Sequence, residues 1–211
     1  MDLQKHYEEI IKNKVGEKER ACIRKMLDEA YKFTNKIFES HMELATSVGF
    51  GIRADILRAM IAYSARRLAG TIGYECKYPN NTINNCSYIL LVKDKLKIIF
   101  SLTETSADVG KTSIYRENIL HPLMQNLFEP EEDSEERISG LLVTYGKSKS
   151  DCCDYARIGI PGDKGWVASI ELEQISYVAV DNEDDDENMV ALEESFVEKL
   201  KGACLDEKRI G

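Results

Sequence analysis

The chain has 211 residues, of which 43% are apolar, 8% aromatic and 31% charged, and its net charge is −9. This length and apolar content exclude a disordered chain and allow one domain with a sizeable core. No apolar run approaches the ~20 residues needed to cross a bilayer, and charges near the N-terminus argue against a signal peptide, so we expect a cytoplasmic protein.

Apolar residues at helical spacing dominate the first 70 residues. A short stripe begins at Leu3 and ends before Gly16, and a longer one continues without proline from about 18 to 47. The spacing of ~3.6 residues predicts one uninterrupted amphipathic helix over 18–47, which the glycines at 49–51 would end. A further helix is predicted over 52–69.

The pattern then changes to short runs rich in β-branched and aromatic residues. Such runs predict strands over 71–78, 87–92 and 96–102. The last two would be joined by a tight hairpin at 93–95. Helical spacing returns over 114–128, where Pro122 starts a new segment or kinks the helix.

The last third alternates between strands and a final helix. We predict a strand over 138–145, a hairpin with arms 155–160 and 166–172, a strand over 175–180 and a helix over 189–203. Period-two alternation in the second hairpin arm predicts which side chains face the core. Inward are Trp166, Ile170 and Leu172, and outward are Glu171 and Glu173.

This order of elements predicts an α+β fold. N-terminal helices would pack on a mostly antiparallel sheet, and a C-terminal helix would close the fold. The corresponding regions are a helical one over 1–70 and an α+β sheet region over 71–211, which could form one continuous domain. Homo-oligomers are compatible with this sequence.

Catalytic and metal-binding patterns are scarce. The six cysteines form no CxxC pair, and the three histidines form no cluster with ligand spacing, so we expect no metal and no cofactor. Gly110-Lys111-Thr112-Ser113 resembles the end of a phosphate-binding loop, but Thr105 stands where that loop needs its first glycine. The balance of these observations is against an enzyme.

One resemblance supports an alternative hypothesis. The predicted order of helix, three strands, helix and strand over about 52–145 resembles the restriction-endonuclease-like core. That core holds Mg²⁺ between carboxylates beside a lysine. Asp94 stands where the first carboxylate could be, Glu104 follows the third strand without the lysine, and Glu75-Cys76-Lys77 has the spacing on the first strand. The resemblance implies a metal-dependent nuclease, or a catalytically degenerate relative.

The negative charge is concentrated in the last third. Residues 1–70 and 71–128 have net charges of +3 and +1, whereas residues 129–211 have 22 Asp/Glu and 9 Lys/Arg, a net charge of −13. Two acidic runs, 129–136 and 181–187, are either solvated loops or a recognition surface. The candidate partner-binding residues are Glu131, Glu132, Asp133, Asp184, Asp185 and Asp186.

These observations favour a small acidic binding protein over an enzyme. Its partner would be a basic protein, for example one that binds nucleic acid and offers the groove that phosphates normally occupy. Direct binding of nucleic acid is disfavoured because the chain is acidic. Small acidic proteins encoded by phages or other mobile elements act in this way, and we hypothesise such an origin.

Overall fold

The computed structural model describes residues 3–41, 44, 47–80, 87–110, 138–147, 152–162 and 165–173. All of these belong to one compact unit, Met1–Gln174. The helices are α1 (Leu3–Lys14), α2 (Glu17–Ser40), α3 (Ser47–Leu68) and a short 3₁₀ helix (Ala69–Ile72). The strands are β1 (Glu75–Lys77), β2 (Leu90–Lys93), β3 (Leu96–Thr103), β4 (Gly140–Gly146), β5 (Ala156–Pro161) and β6 (Trp166–Glu171).

These elements confirm the predicted α+β class. The predicted elements at 114–128, 175–180 and 189–203, the last being the C-terminal helix, lie outside the described residues. The division into regions 1–70 and 71–211 stays a prediction. None of the helices in the described ranges is both long and apolar enough to span a membrane.

The six strands form one sheet in the order β1-β2-β3-β4-β5-β6. Every neighbouring pair is antiparallel except β3 and β4, which are parallel with Ser101 beside Thr144. The predicted hairpin is confirmed: Lys93 pairs with Leu96, and Asp94 turns the chain with a φ of 52°. Aspartate tolerates this left-handed conformation better than most residues.

One face of the sheet is apolar and packs on the N-terminal helices. Cross-strand pairs on this face are Ile98 with Leu141 and Val143 with Ile158, and all four side chains are fully buried. Helix α1 packs on β6, and the Lys93 ammonium on β2 forms an ion pair with Glu19 on α2. Burial of such side chains stabilises the fold by about 25 cal/mol per Å² of apolar area.

The predicted register of the second hairpin arm is confirmed at four positions. Ile170 and Leu172 are buried, whereas Glu171 and Glu173 are exposed. Trp166 is only half-buried, because it lies at the first position of β6 beside a β-bulge at the β5–β6 turn.

The prediction of one helix over 18–47 is wrong. Helix α2 ends at Ser40, where the backbone N–H of His41 makes the last helical bond to the Ile37 carbonyl, at 3.1 Å. Helix α3 then begins at Ser47 and includes the glycines at 49 and 51. The apolar spacing continues across the break because the two helices pack against each other, so each needs an apolar stripe.

The prediction of a strand over 71–78 is too long. The chain first forms the 3₁₀ helix Ala69–Ile72, which ends at Gly73 with a φ of 76°. The N–H groups of Gly73 and Tyr74 bond back to the carbonyls of Gly70 and Ala69. These bonds use the backbone groups that a strand would need, so β1 keeps only three residues.

Candidate functional site on the polar face of the sheet

The six predicted partner-binding residues all lie outside the described residues. They are Glu131, Glu132, Asp133, Asp184, Asp185 and Asp186. The described residues contain 19 Lys/Arg and 15 Asp/Glu, a net charge of +4, and the remainder of the chain contains 9 and 22, a net charge of −13. The excess negative charge is therefore carried by residues that are not part of the described fold.

The carboxylates that the nuclease resemblance singled out do not converge. Asp94 precedes the eight-residue strand β3 and Glu104 follows it, so they are separated by ~25 Å at about 3.3 Å per residue. Glu75 lies near the Asp94 end, where its carboxylate forms an ion pair with Lys77 at 2.9 Å. Among the described residues, no three His, Cys, Asp or Glu side chains are placed to hold a metal ion.

The face of the sheet opposite the N-terminal helices is polar at its centre. Directly paired residues of neighbouring strands share a face, so Ser101 on β3, Thr144 on β4 and Arg157 on β5 form one row. We call this row the polar row. Thr144 is fully buried, whereas Ser101 and Arg157 are half-buried, so the row is buried at its centre and partly exposed at both ends.

The hydroxyl of Thr144 is the most unusual group in the polar row. Although Thr144 is fully buried, its Oγ1 has no hydrogen-bond partner in the described part of the chain. Most buried polar groups are hydrogen-bonded, because an unsatisfied one costs about 1–3 kcal/mol. A buried hydroxyl without a partner therefore marks a position where a further polar group would bind favourably.

In the described part of the chain, one nitrogen of Arg157 has a hydrogen-bond partner. Its Nε donates a hydrogen bond to Ser169 Oγ on β6 at 3.1 Å. Within the described ranges, its two terminal nitrogens have no hydrogen-bond or ion-pair partner. Glu171 lies directly opposite Arg157 in the β5–β6 register. Among the described residues, however, no ion pair joins the two side chains. The bond to Ser169 therefore orients the guanidinium, and its two terminal nitrogens stay available as hydrogen-bond donors to a ligand.

A second polar group, the hydroxyl of Tyr155, lies at the end of this face. The Tyr155 hydroxyl donates to the Thr103 carbonyl at 2.8 Å and lies 3.0 Å from Thr103 Oγ1. Its ring packs on Gly146, where a Cβ would lie 2.6 Å from a ring carbon. Burial raises the pKa of Tyr155, and the carboxylates of Asp108 and Glu104 raise it further. Tyr155, the residue that precedes β5, therefore stays uncharged and connects that strand to Thr103 on β3.

Arg24 on α2 is a structural cation, unlike Arg157. It is 4% exposed, and its Nε lies 3.0 Å from both carboxylate oxygens of Asp28. Its terminal nitrogens donate to the carbonyls of Leu172 and Cys153, at 3.1 and 2.7 Å. Each guanidinium nitrogen has a partner, so Arg24 joins α2 to the segments flanking β5 and β6.

Sequence patterns alone did not single out the polar row. The sequence features that could have indicated it are a threonine inside the apolar run 141–145 and an arginine inside the arm 155–160. Each lies on its strand between two residues that face the opposite side of the sheet. Only the register shows that these two side chains are neighbours.

No protein-family model, no curated protein and no solved structure matches this chain.

Proposed function

We propose that the protein is an acidic binding protein whose two acidic runs, 129–136 and 181–187, recognise a basic protein surface. The observation that carries this proposal is the separation of charge: +4 in the described residues against −13 in the remainder. In this proposal the protein acts in the cytoplasm and is encoded by a phage or another mobile element.

The carboxylates of the described fold support this proposal because several of them already have internal partners. Glu19 pairs with Lys93, and Glu29 pairs with Arg67 at 2.6 Å and with Lys25 at 3.7 Å. Carboxylates that are paired within the fold contribute little field at a distance. The acidic runs would then be the segments that recognise a basic partner.

The test is binding of a fluorescently labelled oligolysine peptide, measured by anisotropy across a salt series. In one variant, the six candidate residues are neutralised: Glu131→Gln, Glu132→Gln, Asp133→Asn, Asp184→Asn, Asp185→Asn and Asp186→Asn. Each surface charge pair contributes about 0.2–1 kcal/mol, so we expect the Kd at low salt to rise at least ~10-fold. The difference should shrink as salt screens the charges.

A matched control separates the acidic runs from net charge alone. It neutralises six exposed carboxylates of the described fold: Glu9→Gln, Glu39→Gln, Asp94→Asn, Glu104→Gln, Asp108→Asn and Glu173→Gln. Both variants gain the same charge. If the control weakens binding as much as the first variant, the acidic runs have no specific role and the proposal is wrong.

A second candidate function is a nuclease-like protein without its metal site. The order of elements favours it, since α3, the strands β1, β2 and β3 and then β4 follow one another as in the resemblance noted in the sequence. The separation of Asp94 from Glu104 counts against catalysis. Incubation with plasmid DNA and Mg²⁺ tests this candidate: it predicts no cleavage above the metal-only background, and cleavage that Asp94→Asn abolishes would instead indicate an active nuclease.

A further inference from the structure

We infer that the polar row of Ser101, Thr144 and Arg157 binds the phosphate group of a small molecule. Three donor groups lie on one face of the sheet in neighbouring strands: the Arg157 terminal nitrogens, the Thr144 hydroxyl and the Ser101 hydroxyl. This inference is independent of the acidic runs, because none of these residues belongs to them.

The placement of Arg157 points to an anion. A half-buried guanidinium loses part of its hydration, and an anion restores the lost interactions through charge-assisted hydrogen bonds. The bond from Nε to Ser169 Oγ orients the planar fork, so both terminal nitrogens can donate to neighbouring oxygens of one ligand. Arginine binds phosphate in this bidentate manner, which lysine cannot reproduce.

The Thr144 hydroxyl points to phosphate among the oxyanions. Thr144 lies directly beside Arg157 in the register, and its fully buried Oγ1 has no partner in the described part of the chain. A carboxylate bound to the arginine fork has both oxygens in the plane of the fork and keeps only their outer lone pairs for further donors. Phosphate has further oxygens, which can accept from Thr144 and from Ser101 on the other side of the row.

The charges around the row are compatible with this ligand. Glu171 is the carboxylate paired with Arg157 across the strands, and it is exposed, so water screens its repulsion. Among the described residues, Leu142, Gly159 and Ser169 on the same face are uncharged. The carboxylates of Glu104 and Asp108, which act on Tyr155 at the end of this face, are exposed like that of Glu171. The row therefore carries one cation and two neutral hydroxyls.

The experiment is calorimetric titration of the full chain with inorganic phosphate, glycerol phosphate and acetate. We expect saturable binding of phosphate, and weaker binding of acetate. The two phosphate arms identify the source: equal affinities indicate free phosphate, and tighter binding of the monoester indicates a phosphorylated metabolite. Absence of saturation up to ~10 mM phosphate, or acetate bound as tightly as phosphate, would overturn the inference.

Three variants assign the binding to the row. Arg157→Gln should weaken phosphate binding at least tenfold, and Thr144→Val, which keeps the side-chain shape, should weaken it severalfold. Arg58→Gln removes an exposed guanidinium on α3 and should leave the affinity unchanged. Equal affinity in Thr144→Val and the wild type would contradict the inference.

Folding is checked by thermal melting followed by circular dichroism. If Arg157→Gln does not fold, Arg157→Lys replaces it, since lysine keeps the charge and loses the fork. Thr144→Val removes only a hydroxyl without a partner, so a purely structural role predicts equal or higher stability and no change in phosphate affinity. A structural role and a phosphate-binding role therefore predict different phosphate affinities for Thr144→Val, a variant that is expected to fold.

Discussion

Replacing Arg24 with methionine should be among the most destabilising single substitutions in the described fold. The Arg24 guanidinium is the hydrogen-bond donor to the carbonyls of Leu172 and Cys153, and both of those residues are 1% exposed. Each carbonyl left without a donor costs about 1–3 kcal/mol. Asp28 is 37% exposed and regains water when its partner is lost, so it adds little. The expected loss is about 3 kcal/mol, a large part of a typical stability of ~5–15 kcal/mol.

Equilibrium unfolding in urea measures this loss. Arg24→Met should lower the free energy of unfolding at an unchanged m-value. The control is Arg58→Met, because Arg58 forms an exposed ion pair with Asp55 on α3, with side chains 48% and 70% exposed. Such pairs contribute about 0–1 kcal/mol. If Arg24→Met costs no more than Arg58→Met, the argument from buried carbonyls is refuted.

Further predictions concern two glycines and two cysteines. Gly159→Ala should destabilise the β5–β6 pair, because the added Cβ would lie 2.2 Å from the Ala168 carbonyl oxygen. Gly51→Ala should raise the melting temperature, since nothing lies within 4 Å of its Cβ position and alanine is favoured in a helix by about 1 kcal/mol; a lower value would contradict this. Burial raises the pKa of Cys153 to about 12, so maleimide at neutral pH should label the exposed Cys152 first. Peptide mass spectrometry of Cys152→Ser and Cys153→Ser checks the order, and equally fast labelling would show that Cys153 is accessible.

Local patterns predicted much of the fold. The short α1 stripe, the β2–β3 hairpin and the alternation in 166–172 depend on neighbours in the sequence, and the structure has them close to the predicted positions. The break between α2 and α3 was missed because an apolar stripe has the same period in one helix and in two helices that pack together.

The polar row was missed for a different reason. Its members come from three strands, and the register that makes Ser101, Thr144 and Arg157 neighbours is a property of the whole sheet. The parallel pairing of β3 with β4 depends on residues distant in the sequence. The candidate acidic residues were chosen from charge alone, and their role stays a prediction.

The most direct test of the proposed function is the association rate constant with the oligolysine peptide at low salt, measured by stopped-flow fluorescence. Charge complementarity acts mainly on this rate. The account predicts that neutralising Glu131, Glu132, Asp133, Asp184, Asp185 and Asp186 slows association by ~10-fold or more, while the equally charged control variant stays near the wild-type rate. Equal rates for the two variants would contradict recognition by the acidic runs.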